Sequence, residues 1–301
     1  MTSDVFPSGP VRYVVPFRPG GPPDDIARII AAELSQLWAQ PVVVDNRPGA
    51  NGNVGSEFVA LAQADGRTLL QGTSATHGSN AVLFPLLPFK PHTALVPVVP
   101  LIEGPLYLAV SQRQPFRQLE EFLEYARAHP GELRFATAGP GSPQHLAGEL
   151  LKVKAGIEIV PVHYAGAAHA MQAIVNGEVE IYFGSDFTAH PEAAELPLLG
   201  VSSRWRWPSA PSIPTLVERG IADFEIHGWF GIFAPAATPG ETVARINADV
   251  NDVLSTPHVA QRIGSYRYMV LGGSPEEFAA RLLREVSFWR ELVRANKLSI
   301  V

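Results

Sequence analysis

The stretch at residues 11–30, VRYVVPFRPGGPPDDIARII, constrains this chain more than any other. Its apolar start, residues 11–17, reads as a buried strand, and a glycine–proline break follows at residues 20–23. Beyond the break Ile26, Ile29, Ile30, Leu34 and Leu37 recur at helical spacing, which predicts a helix from about Pro23 to Trp38. Pro23 suits the first helical position, where an amide proton would find no helical partner. Gly20 and Gly21 allow a tight turn and a close backbone approach. A strand, a glycine turn and a helix N-terminus aim free amides and the helix dipole at one spot, an anion cradle. The same pattern is also an ordinary strand-to-helix turn. No P-loop Gly-Lys-Ser/Thr follows and the glycines lack dinucleotide spacing, so a carboxylate suits the turn better than a nucleotide.

The pattern repeats. Residues 41–45 (PVVVD) read as a strand, and Gly49, Gly52 and Gly55 as a loop entering a helix that carries Val54, Phe58, Val59 and Leu61. Residues 68–72 make a third strand, followed by a polar segment with Thr73, Ser74, His77 and Asn80. Strands alternating with helices are the α/β signature. Proline density over residues 85–105 predicts a long irregular connection. A second copy of the opening device follows: strand 133–137, glycine turn 138–142, helix 143–155, with Ser142 as N-cap and Pro143 at the first helical position. Thr238-Pro239-Gly240-Glu241 and Ser274-Pro275-Glu276-Glu277 read as capping boxes opening two late helices. At 301 residues two domains are expected: lobe I from residues 1–103 plus 225–301, and lobe II inserted at 104–224. A ligand cleft between them would be lined by helix N-termini.

Composition narrows the partners. Net charge is −6 with no basic block, which argues against nucleic acid. There is no cysteine, hence no disulfide, thiolate metal site or cysteine nucleophile. No apolar run reaches about 18 residues, so no membrane span is expected. The polar residues 1–10 lack the apolar segment of a signal peptide, leaving a cytoplasmic protein or one whose leader has been removed. None of the nine histidines has metal-ligand spacing, and no cofactor is implied.

In AGPGSPQH the Gly141 and Ser142 amides and the Ser142 hydroxyl could hold an oxyanion, or Ser142 could cap a helix and nothing more. Tyr164, Ala165 and Gly166 open another helix and could supply amides and a hydroxyl, although a packed tyrosine is equally consistent. Asp186, after the strand ending at Phe183, is a ligand contact or a helix cap. His163 and His169 flank the Gly166 turn. Ser142 and His145 share a helical turn but form no triad, and there is no nucleophile elbow. Asp24 and Asp25 diverge on a helix and read as capping charges.

The order of PFRPGGPPD, VVVDNRPGANGNVG, ADGRTLL, ATAGPGSPQHLAGELL, VHYAGAA, NGEVEIYF, APSIPTLVERG, GWFGIFAPAATP and SPEEF resembles the periplasmic solute receptors of tripartite tricarboxylate transporters, the Bug receptors. The likeness runs from about residue 11 to 296. It implies a two-lobed, type II Venus-flytrap binding protein, monomeric and periplasmic. Such a receptor captures a small organic acid and docks to transporter membrane subunits or to a sensor kinase. On the family pattern Phe17, Gly20, Gly21, Pro22, Pro23 and Asp24 would form the first-lobe site. Residues 73–80 would line it nearby, with Thr73, Ser74, His77 and Asn80. Thr137, Ala138, Gly141, Ser142, Tyr164, Ala165, Gly166 and Asp186 would face the ligand from the second lobe. The chain departs from the pattern at Pro23, where serine or threonine is usual, and at His163 and Ala165, which replace proline and lysine. The lost lysine points to a less densely charged acid, such as an aromatic carboxylate packed on Phe17. An enzyme using the same cleft and a cytoplasmic binding module are the competing readings.

Overall fold

The computed structural model describes residues 6–84, 87, 89–185, 187 and 191–296. The chain opens with β1 (Val11–Val15), α1 (Pro22–Leu37), β2 (Val42–Asn46), α2 (Asn53–Ala60) and β3 (Thr68–Thr73). Two short helices, α3 (Asn80–Leu83) and α4 (Pro91–Ala94), lead to the long β4 (Leu95–Pro105). Next come β5 (Tyr107–Val110), α5 (Leu119–Ala128), β6 (Arg134–Thr137), α6 (Pro143–Ala155), β7 (Val160–His163), α7 (Ala167–Val175), β8 (Ile181–Gly184) and β9 (Leu198–Val201). The chain then runs through β10 (His227–Pro235), α8 (Gly240–Ser255), α9 (Pro257–Gly264), β11 (Met269–Val270) and α10 (Pro275–Asn296).

Two compact units result. The first takes the chain up to Glu103 and again from Trp229 to Ala295; the second is built on Gly104–Gly228. In the first unit a six-stranded sheet has the order β11-β4-β10-β3-β1-β2. β1 runs parallel to β2 on one side and to β3 on the other, while β10 is antiparallel to β3. Both faces of this sheet are covered, so β1 is an almost unbroken apolar run. Tyr13 and Val15 pack with Ile26, Ile30 and Leu34 of α1 and Ile246 and Val250 of α8. Val14 and Leu70 pack on the other face with Val59, Phe233, Phe278 and Leu282. The second unit's five-stranded sheet, β7-β6-β8-β5-β9, repeats the arrangement. β6 is parallel to β7 on one side and β8 on the other, and β5 is antiparallel to β8.

Helix α10 holds the chain where it leaves and re-enters the first unit. Arg281 donates to Glu103 at 2.7 Å, and one turn later Glu285 accepts the Trp229 indole N–H. Glu103 is the last residue before the crossing and Trp229 the first after it.

Several elements differ from sequence expectation. The proline-rich stretch at 85–105 ends in an eleven-residue strand, β4, lodged between β11 and β10. Burial outweighed the prolines, since its residues 98–105 are buried throughout. In α2 the expected apolar face is buried only in part: Val59 is in the core and Phe58 packs against it. Val54 and Leu61 are exposed, whereas Asn53, Gly55 and Ser56 lie inward. Gly55 belongs to the helix because its missing Cβ admits Pro16. Pro22, not Pro23, takes the first helical position of α1, with Gly21 as N-cap. The box at Ser274 and Glu277 forms in both directions, at 3.2 Å each way. The one at Thr238 does not: Pro239 is the N-cap and the buried Thr238 hydroxyl has no partner.

The close approach of α6 to β6 depends on Gly148, where a Cβ would fall 2.2 Å from the Phe135 ring. Gly148→Ala is expected to cost about 1–3 kcal/mol through overpacking, read as a lower urea midpoint at unchanged slope.

Candidate functional site

Parallel pairing sets the location. Successive parallel strands put their C-terminal ends on one edge, and where the crossovers diverge to opposite sides a crevice opens there. β1 and β6 are the diverging strands of their units, so the turns after β1, β2 and β3, and those after β6 and β7, are the candidates.

In the first unit three turns meet at Gly52. Its φ is +88°, and a Cβ there would fall 2.5 Å from Thr76, 3.3 Å from Phe17 and 3.5 Å from Pro16. Asn80 ties the middle turn down: its Nδ2 donates to the Asn51 carbonyl and to Asn53 Oδ1, each at 3.0 Å, and its Oδ1 accepts from Asn51 Nδ2 at 2.7 Å. These bonds support Ala50 and Asn51, both at positive φ. Thr73 and Thr76 cap a π-helical turn, Ser74–Ser79, that is buried along its length. His77 lies flat on Phe233, centroids 3.8 Å apart, with Nδ1 2.9 Å from the Thr76 hydroxyl and Nε2 buried without a partner.

Asp24 organises the turn after β1. Its buried carboxylate accepts from Gly20 N at 3.0 Å, Asn46 Nδ2 at 2.9 Å and Arg28 at 2.9 and 3.0 Å. Burial acts to raise its pKa, but the bonds from Arg28, Asn46 and Gly20, with the Arg28 charge, outweigh it and hold the carboxyl below its ordinary value. Asn46 also donates to the Phe17 carbonyl at 3.1 Å, and Gln71 to the Pro23 carbonyl at 3.2 Å. This corrects the amide-cradle expectation. Pro22 and Pro23 have no N–H and Gly20 spends its own on Asp24, so the turn offers an anion little beyond the Gly21 amide.

In the second unit Thr137 holds two turns together. Its hydroxyl lies 2.6 Å from His163 Nδ1 and accepts from Gly139 N at 3.1 Å, and its carbonyl accepts from Tyr164 N at 3.0 Å. Ser142 caps α6 by accepting from His145 N at 3.3 Å, as its sequence position implies. The Gly141 amide donates to His145 Nδ1 at 3.1 Å and the Ser142 amide to the Gly139 carbonyl at 3.2 Å. These two amides are thus engaged within the turn, a second correction. At α7 the N-cap is Gly166, φ +132°, with no side-chain cap, and the first-turn amides of residues 167–169 have no acceptor among the described residues. Tyr164 is half-buried, and burial pushes its hydroxyl pKa up. Ala165 and His163 are exposed; Ala138 is half-buried. Asp186 lies outside the described residues. Sequence reasoning passed over Asn46, Asn51 and Gln144. Asn46 was legible only as the polar end of an apolar strand, and Gln144 as one polar residue beside an N-cap.

The tripartite tricarboxylate transporter family receptor model matches residues 26–297. The chain belongs to that family. The UPF0065 protein in the tcbD–tcbE intergenic region of Pseudomonas sp. strain P51 is 37% identical over 98% of this chain and 89% of its own length. Among solved structures, Rpa4515 of R. palustris, with adipate, is 32% identical with a TM-score of 0.91, over 97% of this chain and 98% of that one. MatC of Rhodopseudomonas palustris, with bound malate, is 34% identical with a TM-score of 0.87, over 96% and 100%. This receptor therefore has the two-lobed α/β fold of extracytoplasmic solute-binding proteins. Among the described residues no helix is long and apolar enough to cross a membrane.

Replacing Asp24 by Ala leaves the Gly20 amide without its acceptor and removes the Arg28 and Asn46 contacts, and should lower stability by about 1–3 kcal/mol, measured by urea unfolding. Acid should also weaken the receptor. Burial pushes His77 down to about 3 and His145 down to about 4, the latter helped by the neighbouring His163 and Lys152 charges. The unfolded chain takes up protons on both from about pH 6.5, so stability is full above that pH and lost as pH falls toward these values, by roughly 1.4 kcal/mol per site and pH unit. The melting temperature should drop clearly between pH 7 and pH 5, and His77→Phe should flatten part of the drop.

Proposed function

We propose that this receptor captures a small organic carboxylate in the periplasm and delivers it to the membrane subunits of a tripartite transporter, without turning it over. The observation that carries the reading is family membership over nearly the whole chain, joined to structural likeness to proteins solved with adipate and with malate. The turns at the C-terminal ends of β1, β3, β6 and β7 are the ligand-facing residues on this reading: Phe17 to Pro23 and the segment from Thr73 in the first unit, Thr137 to Ser142 and Tyr164 to Gly166 in the second.

The two sets of turns offer different chemistry. The second unit supplies donors, at the uncapped start of α7 and the Tyr164 hydroxyl. The first supplies Phe17 and two proline rings, with most of its polar groups engaged by Asp24, Asn46 and Asn80. That division supports an acid with an apolar body, aliphatic or aromatic, over a densely charged one. Four charge-assisted hydrogen bonds at roughly 1.5–3 kcal/mol each are enough for the ~8 kcal/mol of micromolar binding once ordering costs are met.

The test is thermal unfolding against aliphatic dicarboxylates, citrate, acidic amino acids, benzoates and nicotinates. An acid at 100 times its dissociation constant adds about 2.7 kcal/mol, a rise of a few degrees for a chain of this size, and is recovered unchanged after incubation. Stabilisation by citrate or aspartate alone would remove the apolar-body reading. Silence across all acids, with chain refolded from denaturant to strip any retained ligand, would remove carboxylate capture itself.

A further inference from the structure

Two buried side-chain atoms beside the candidate turns have no partner among the described residues, His77 Nε2 and Gln144 Oε1, and only the second sits at the start of a helix with an unbonded amide beside it. Gln144 is the second residue of α6, directly after the turn at residues 138–142, and is only 8% exposed. Its Oε1 is buried with no hydrogen bond. Buried side-chain acceptors are nearly always satisfied, and leaving one bare costs on the order of 1–3 kcal/mol. Gln144 also keeps a free backbone donor. Pro143 has no N–H, the His145 amide goes to Ser142 Oγ and the Leu146 amide to the Ser142 carbonyl, while the Gln144 amide has no acceptor among the described residues. Helical side chains lean toward the helix N-terminus. The Gln144 Cα–Cβ bond is accordingly tilted toward the turn that precedes α6.

A free donor and a free acceptor on one residue match a ligand carrying an acceptor and a donor on adjacent carbons. A carboxylate oxygen accepts from the Gln144 amide, and a neighbouring hydroxyl donates to Oε1. We infer that Gln144 is the specificity-determining residue by which this receptor prefers a 2-hydroxy acid over the same acid without its hydroxyl. The inference rests on carboxylate capture but is separable from it. A site built to pair a hydroxyl rejects the analogue lacking it more strongly than an apolar pocket can, because the buried acceptor is left bare.

Matched acids test this: L-malate against succinate, and mandelate against phenylacetate, titrated by calorimetry into the full chain. Tighter binding of the hydroxylated member, by about tenfold or more in at least one pair, is expected for the unaltered receptor. Gln144→Leu and Gln144→Ala should bring that ratio to within about twofold, mainly by weakening the hydroxy acid, with circular dichroism and melting temperature confirming the fold. The unaltered receptor needs no folding control, so equal affinity for both members of each pair overturns the inference while leaving carboxylate capture standing. A preference unchanged in both folded variants overturns it too. If none of the four acids binds, the inference falls, while carboxylate capture is decided by the wider panel of acids.

Discussion

A parallel strand cannot be reached by a tight turn; the chain must cross back over the sheet to start it from the same end. That constraint shapes both units. Because β1 pairs with β2 on one side and β3 on the other, and β6 likewise with β7 and β8, the turns that follow gather on one edge of each sheet. No side chain has to choose the location. What the side chains decide is which backbone groups at that edge remain unpaired.

Accounting for those groups separates the turns. α1 starts with two prolines, and the amide before them is taken by Asp24. At the start of α6 the Gln144 amide has no acceptor among the described residues, while Ser142 and His145 engage its neighbours. α7 has a glycine cap, and its first-turn amides have no acceptor among the described residues. Helix N-termini are favourable for anions only to the extent that their N–H groups are unbonded. The donors suited to an acid are accordingly concentrated in the second unit, although the glycine turns look alike in sequence.

The framework was legible because it rests on periodicity and punctuation. The apolar spacing of Ile26, Ile29, Ile30 and Leu34 gave α1, and Ser142-Pro143 gave the start of α6; burial and capping in the structure follow directly from both. Spacing failed where long-range packing took over. In α2, Ser56 bonds back to the Gly52 carbonyl and Gly55 admits Pro16, so small residues face inward while Val54 and Leu61 face solvent. β4 failed for a related reason: its prolines read as breakers, but strand neighbours on both sides held the segment extended. The family motifs mark turns in the chain but do not say which of their backbone groups are already bonded. Whether an amide is free depends on partners distant in sequence or across the turn, as with Asn46 and Asp24, 22 residues apart.

Asp24 makes the point most sharply. A carboxylate at the N-terminus of a helix is where a bound anion would be expected, and here the chain supplies its own. The group stays ionised because Arg28, Asn46 and Gly20 outweigh the cost of burial. An incoming carboxylate at that turn would meet a fixed negative charge and an amide set already in use, with only Arg28, itself engaged, to offset the repulsion. In the first turn of α6 Gln144 is neutral and its Oε1 has no partner among the described residues, so the two proline-opened helix starts differ in what they leave for a ligand.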